Sequence, residues 1–156
     1  ETVNLYVLDG YDRVCIEKAE GRYLVRQVVQ IGQKIQAYCG AAGKVLMAWQ
    51  GPQFIEEVIR ATDLRALTSQ TISDPEQFKE ELRRIRECGY GVSDGERDAE
   101  VIAVAAPVFD GNSSIVAALS ISGPKSRFVI SREVIDAVRA GAKEVSRDLG
   151  HREAVR

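Results

Sequence analysis

Histidine is almost absent from this chain: His151, near the C-terminus, is the only one in 156 residues. Cysteine is scarce too, an odd set of three (Cys15, Cys39 and Cys88) with no C-x-x-C spacing and no histidine beside any of them. That pattern supplies neither a disulfide framework nor a zinc site of common composition, and it suits a reducing cytoplasm. A Cys-His or Ser-His-Asp nucleophilic centre would have to recruit His151 from a polar tail, so no catalytic residue, metal or cofactor is expected. Charge of one sign is also missing. Lysine and arginine number 21 against 23 acidic residues, a net charge of −2. A domain gripping nucleic acid unaided would show a basic face. Here the cluster Arg83, Arg84 and Arg86 is interleaved with Glu80, Glu81 and Glu87, which reads as a solvated helix face. No apolar run approaches the roughly 18 residues of a membrane span, and no signal-peptide pattern opens the chain. The opening residues already read as a strand, as in a segment of a longer protein.

The length fits one domain with a substantial core, expected over residues 1–150 with a polar tail at 151–156. Residues 3–8 and 13–18 read as a hairpin about Asp9-Gly10, with Val14 and Ile16 alternating on its second strand. The β-branched run at 24–31 reads as a third strand, broken at Gly32. Ala42, Val45, Leu46 and Trp49 fall at helical spacing over 40–49, and Pro52 opens a short helix through Arg60. Asp74, Pro75 and Gln77 mark the start of a helix with the apolar stripe Phe78, Leu82 and Ile85, stopped at Gly89. Tyr90 to Val92 is extended, and Ser131 caps a last helix ending at Gly150. About six strands, mostly joined by hairpins, with helices inserted between them, predict an α+β domain with a mainly antiparallel sheet.

Residues 101–124 are the most telling stretch, two apolar runs around Asp110-Gly111-Asn112-Ser113-Ser114. Alternation puts Ala118, Ser120 and Ser122 on one face of the second strand. An even loop, such as Gly111-Asn112 between Asp110 and Ser113, brings Ala103 and Ala105 of the first strand to that same face. The result is a strip of small side chains with two hydroxyls. Such a strip either receives a closely packed helix or forms one wall of a pocket, and the pattern leaves both open.

Gly40-Ala41-Ala42-Gly43-Lys44 opens a helix with small residues and a cation. Its free N–H groups and positive dipole end favour an anion. Close helix packing with Lys44 in solvent is the plainer alternative. Val45 follows the lysine, so this is not a Walker loop. Ser93, Asp94, Glu96 and Arg97 lie in a polar segment able to close over a ligand or simply to sit in water. Cys39, just before a helix, is either a redox-sensitive thiol or a small buried side chain.

These segments share one ordered series. Glu1-Thr2-Val3-Asn4-Leu5 with Val7-Leu8-Asp9-Gly10 is followed by Gly43-Lys44-Val45-Leu46-Met47-Ala48, Leu67-Thr68 and Thr71-Ile72-Ser73-Asp74-Pro75. Arg84-Ile85-Arg86-Glu87-Cys88-Gly89-Tyr90, Ala105-Ala106-Pro107-Val108-Phe109-Asp110 and Ala117 to Pro124 complete it. The series resembles the C-terminal effector-binding domain of the IclR family of bacterial transcriptional regulators, a GAF-like fold, over essentially the whole chain. The resemblance implies a sensor of a small organic or aromatic acid that forms homodimers or homotetramers. It implies no membrane partner, and DNA contact only through an N-terminal winged helix-turn-helix domain that this chain lacks. It also implies a polar cavity wall at Gly40, Ala41, Ala42, Ser93, Ala103, Ser120 and Ser122, with Asp94 entering if the loop aligns one residue differently. A histidine common in the family before the Gly-rich turn is Tyr38 here, a common acidic residue is Ser93, and a common cysteine is Ala103. Fewer polar groups predict a larger, less hydrophilic cavity that admits an aromatic acid. A small enzyme using the same pocket and a pure oligomerisation module are the competing readings.

Overall fold

Two polar residues are buried along the first strand: Thr2, Asn4 and the aromatic Tyr6 alternate inward on one face of β1 (Thr2–Asp9), while Leu5 and Val7, half-buried, pack on the other. In this computed structural model, which describes residues 1–23 and 28–152, β1 turns at Gly10, whose φ of 60° suits glycine, into β2 (Asp12–Ala19). The inward face of β2 carries Arg13 and Cys15, while Ile16 is 44% exposed. The expected third strand at 24–31 is not found at 28–31, and residues 24–27 lie outside the described set. Instead the chain turns at Gly32 (φ 84°), and β3 is the short edge strand Lys34–Gln36, paired to Asp12 through Val14. A partner with free edge groups decided the position here, and β-propensity alone did not.

Helix α1 (Ala41–Ala48) is buried at every residue, Lys44 included, so it is a central helix and not the one-faced helix that the spacing predicted. Helix α2 (Pro52–Thr62) starts at the expected proline. In α3 (Pro75–Cys88) the Asp74 carboxylate accepts the Gln77 N–H at 2.8 Å, and Gly89 ends the helix at φ 77°. Strand β4 (Gly91–Asp94) runs two residues beyond the extended segment expected there and takes Ser93 into the sheet. Strands β5 (Val101–Phe109) and β6 (Ile115–Pro124) form the central hairpin, and α4 (Arg132–Asp148) follows, capped by Ser131. His151, expected in a polar tail, has its ring 5.3 Å from that of Phe109.

All described pairings are antiparallel, in the order β3-β2-β1-β6-β5-β4. One face of the sheet packs against α1, which α3 covers in turn, and the other against α4. The fold is α+β, as expected. The β5–β6 hairpin reaches its register by an unexpected route. Asp110 and Ser114 close a loop with three residues between them, an odd number, which would set Ala103 opposite Ile121. A bulge follows, in which Val108 pairs Ala117 but Phe109 pairs Ile115, leaving Val116 extra. That one residue restores Ala103 to Ser122 and Ala105 to Ser120.

Candidate functional site

Two cross-strand rows run along the face beneath α1. Ser93, Ala103, Ser122 and Thr2 stand opposite one another in sequence across β4, β5, β6 and β1, and Gly91, Ala105, Ser120 and Asn4 form the next row. Part of this strip is packing. A Cβ on Gly91 would lie 3.0 Å from Val45 and 3.1 Å from Ile85, and Ala105 is fully buried in the core under α1. The rest is open. Ser93, Ala103, Ser120 and Ser122 line a cavity roofed by Gly40, Ala41 and Ala42 at the start of α1. Each of the two readings of the strip therefore describes a different stretch of it.

Of the eight residues singled out, Asp94 is the exception. Its carboxylate pairs with Lys125 at 2.6 Å on an exposed side chain outside the cavity. Strand alternation turns Ser93 inward and its neighbour outward. Tyr38, where the family often has histidine, also points elsewhere and donates its hydroxyl to the Arg65 carbonyl at 2.7 Å.

The helix end itself is partly occupied from within. Glu96 accepts the Gly40 N–H at 3.0 Å and the Lys44 ammonium at 2.5 Å. Lys44 also donates to Glu81 at 2.9 Å and to the Val92 carbonyl at 2.8 Å. The expectation of Lys44 in solvent is thus corrected: it is 1% exposed and ties α1 to α3 and to the loop after β4. The hydroxyls of Thr68 and Thr71 donate to the carbonyls of Gly95 and Glu96, each at 2.6 Å, and hold that loop. Among the described residues nothing accepts from the N–H groups of Ala41 and Ala42. These remain available to a ligand.

Two cations also line the cavity: Arg97, from the polar segment expected to close over a ligand, and Arg13, which sequence reasoning missed. Arg13 donates to the carbonyls of Gln36, at 3.2 Å, and Cys39, and its guanidinium lies 5.2 Å from the centre of the Tyr6 ring. A Cβ on Gly40 would come within 2.9 Å of the guanidinium, and Gly40 has a φ of 82°, so both space and backbone call for glycine. Burial pushes the Arg13 pKa down, the opposite pull coming from Tyr6 and Cys39. Val14 and Ile16 drew attention to the wrong face of β2. The available signal was the period of two, which puts Arg13 and Cys15 on the face shared with Tyr6. Burial also raises the Cys39 thiol pKa more than Arg13 lowers it, so Cys39 is a buried side chain and not an activated thiol.

The cavity holds about 50 Å³, smaller than the enlarged pocket expected, because the long side chains of Tyr6 and Arg13 stand in its wall. A wider opening of about 600 Å³ lies between β5 and α4, bounded by Trp49, Phe109 and exposed cations including Arg147. The narrower cavity is the candidate site: unlike the wider opening, it combines a helix N-terminus, buried hydroxyls and a buried guanidinium. No group of residues suited to a metal ion occurs among the described residues, and no described helix is long and apolar enough to cross a membrane.

The chain matches the family model of the C-terminal domain of bacterial IclR transcriptional regulators over residues 1–147. It is 32% identical over 153 residues to the HTH-type transcriptional regulator KdgR of Escherichia coli, covering 97% of this chain and 58% of KdgR. The crystal structure of Thermotoga maritima IclR superposes with a TM-score of 0.87 at 35% identity, covering 97% of this chain and 62% of that one. A double mutant of the inducer-binding domain of the PobR transcription factor from Acinetobacter, in complex with 3-hydroxybenzoic acid, gives 0.85 at 27% identity, over 93% of this chain and 87% of that one. The chain thus spans less than two-thirds of the KdgR regulator. By the family-model match along nearly its whole length, this chain belongs to the IclR family of bacterial transcriptional regulators and corresponds to their C-terminal domain.

Proposed function

We propose that this domain is the small-molecule sensor of a cytoplasmic transcriptional regulator. It binds an organic acid in the cavity beneath α1 and modulates DNA binding by a domain N-terminal to the residues described. The observation that carries this reading is the meeting, in one cavity, of the free N–H groups of Ala41 and Ala42 with the hydroxyls of Ser93, Ser120 and Ser122. The helix end and hydroxyls hold the polar group, Ala103 leaves room for the body of the ligand, and no chemistry is performed. The PobR domain complex with 3-hydroxybenzoic acid supports an acid as the ligand class. A ligand shifts an equilibrium only by binding two states unequally, so occupancy must alter the relative placement of protomers in a homodimer or homotetramer, or of the DNA-binding domains. The small cavity volume favours one competing reading, a pure oligomerisation module with a collapsed pocket. A thermal-shift screen of small aliphatic and aromatic acids separates the two. An acid that raises the melting temperature and is recovered unchanged supports the sensor; a melting temperature indifferent to every acid supports the module.

A further inference from the structure

Arg13 is 6% exposed, lines the cavity, and its Nε has no hydrogen-bond acceptor. Only one other described residue, Thr2 with its Oγ1, has a buried side-chain N or O atom in that state. No described carboxylate lies within ion-pairing distance of Arg13 or of Arg97. The nearest candidate acids are otherwise engaged. Glu96 is bound by Lys44 and the Gly40 N–H, and Asp98, at the exposed rim, accepts the Glu100 N–H at 3.1 Å. Beside Arg13, burial raises the pKa values of the Tyr6 phenol and the Cys39 thiol, so neither supplies a negative charge, and Arg97 is a second cation. The Arg13 guanidinium also sits against the Gly40 turn, where the helix dipole is positive as well. Two arginines against one aspartate leave the lining with one positive charge in excess.

We infer that Arg13 is the residue that recognises the charge of the organic acid, receiving its carboxylate with Arg97 as second cation. This rests on the sensor reading above and deepens it. A buried charge is normally paired, and arginine cannot escape by losing its proton. An anion beside the guanidinium offsets the cost of burying it, and a neutral molecule of the same shape does not. Gln36 and Cys39 take one Nη group and leave the Nε edge of the planar fork for the incoming carboxylate. The same two contacts tie Arg13 to the segment that enters α1, so the ligand's charge acts directly on the roof of its own cavity.

The test is NMR of the arginine Nε–H groups during titration with acetate, propionate, malonate and 3-hydroxybenzoate, and with the amide of each. The wild type, Arg13→Lys and Arg97→Gln are compared, with melting temperatures measured alongside. The expected result is that one or more carboxylates bind the wild type while the matching amides bind roughly tenfold to hundredfold more weakly, the range for a hydrogen bond to a charged group. One Nε–H resonance, missing from Arg13→Lys, shifts during the titration. Arg13→Lys loses affinity because an ammonium cannot reproduce the fork, and Arg97→Gln loses less. If carboxylates bind but leave that resonance in place, the inference about Arg13 is overturned and the sensor reading stands, even should Arg13→Lys fail to fold. If the amides bind as well as the acids, charge recognition is overturned while sensing stands. If nothing in the panel binds at tens of millimolar, both fall.

Discussion

Lys44 and Glu96 meet at 2.5 Å inside the protein, one from the first turns of α1 and the other from the loop after β4. The pair joins the roof of the cavity to its rim, and Glu81 extends it to α3. Removing one partner of a buried ion pair strands the other charge, at a cost of about 3–5 kcal/mol. Lys44→Ala is therefore expected to lower stability by that order in urea denaturation. It should also loosen the Gly40 turn that Glu96 holds. A variant as stable as the parent would show that the pair is solvated in solution.

The same cluster sets a limit on acid tolerance. Burial alone would raise the Glu81 carboxyl pKa, but hydrogen bonds and charge from Arg84 and Lys44 together outweigh it and hold the group below its ordinary value of 4.5. With the folded pKa lower than the unfolded one, the unfolded chain takes up protons first as the pH falls. The stability from Glu81 is full above about pH 4.5 and is lost as the pH drops through the lowered folded value. Denaturation midpoints measured from pH 6 down to about 3 should fall less steeply for Glu81→Gln than for the parent.

Ser120 and Ser122 share a strand face and both line the cavity. The double substitution Ser120→Ala with Ser122→Ala should weaken binding of an acid found by thermal shift by about 1–3 kcal/mol while leaving the domain folded. Calorimetry with the unmodified domain as reference gives the number. Unchanged affinity would remove both hydroxyls from the site.

Bulk at the roof should act differently from lost hydroxyls. Ala41→Leu or Ala42→Leu fills the space before the free N–H groups, so binding should disappear instead of weakening. Overpacking costs about 1–3 kcal/mol in its own right, so melting and affinity are to be read together. A folded leucine variant that binds as the parent does would leave the turn as helix packing only.

The three thiols are expected to divide cleanly. Cys15 and Cys39 are buried, with thiol pKa values raised by that burial, and Cys88 is partly exposed at the end of α3. A thiol reagent such as Ellman's should consume one equivalent in the native protein and three after denaturation, with Cys88→Ser abolishing the native reaction.

Much of the architecture was legible because its signals are local. Asp74 and Gln77 announce a helix start in any context, and Asp9-Gly10 announces a turn. Alternation put Ala103, Ser120 and Ser122 on one face but left packing and a pocket wall both open, and only the family resemblance pointed to a cavity. What stayed hidden depends on partners distant in sequence. Lys44 is buried because Glu81 and Glu96 reach it, and neither its spacing nor its neighbours disclose that. Arg13 was passed over because a charged residue on a strand ordinarily faces water, whereas here β2 turns Ile16 out and its arginine in. The short β3 was invisible for a related reason, since a three-residue edge strand is defined by the chain it pairs with.

The bulge at Val108 and Phe109 has a consequence for how such domains can change length. Its extra residue, Val116, lies at the far end of the hairpin from Ser122, yet it decides which side of β6 looks at α1. Lengthening or shortening this hairpin by two residues keeps the serines inward. A change by one within the strand, if the loop does not absorb it, presents Leu119 and Ile121 to the cavity and sends both hydroxyls toward α4. Within the paired strands, an even step therefore keeps the cavity wall polar, and an odd step does so only with a compensating bulge or a change in the loop.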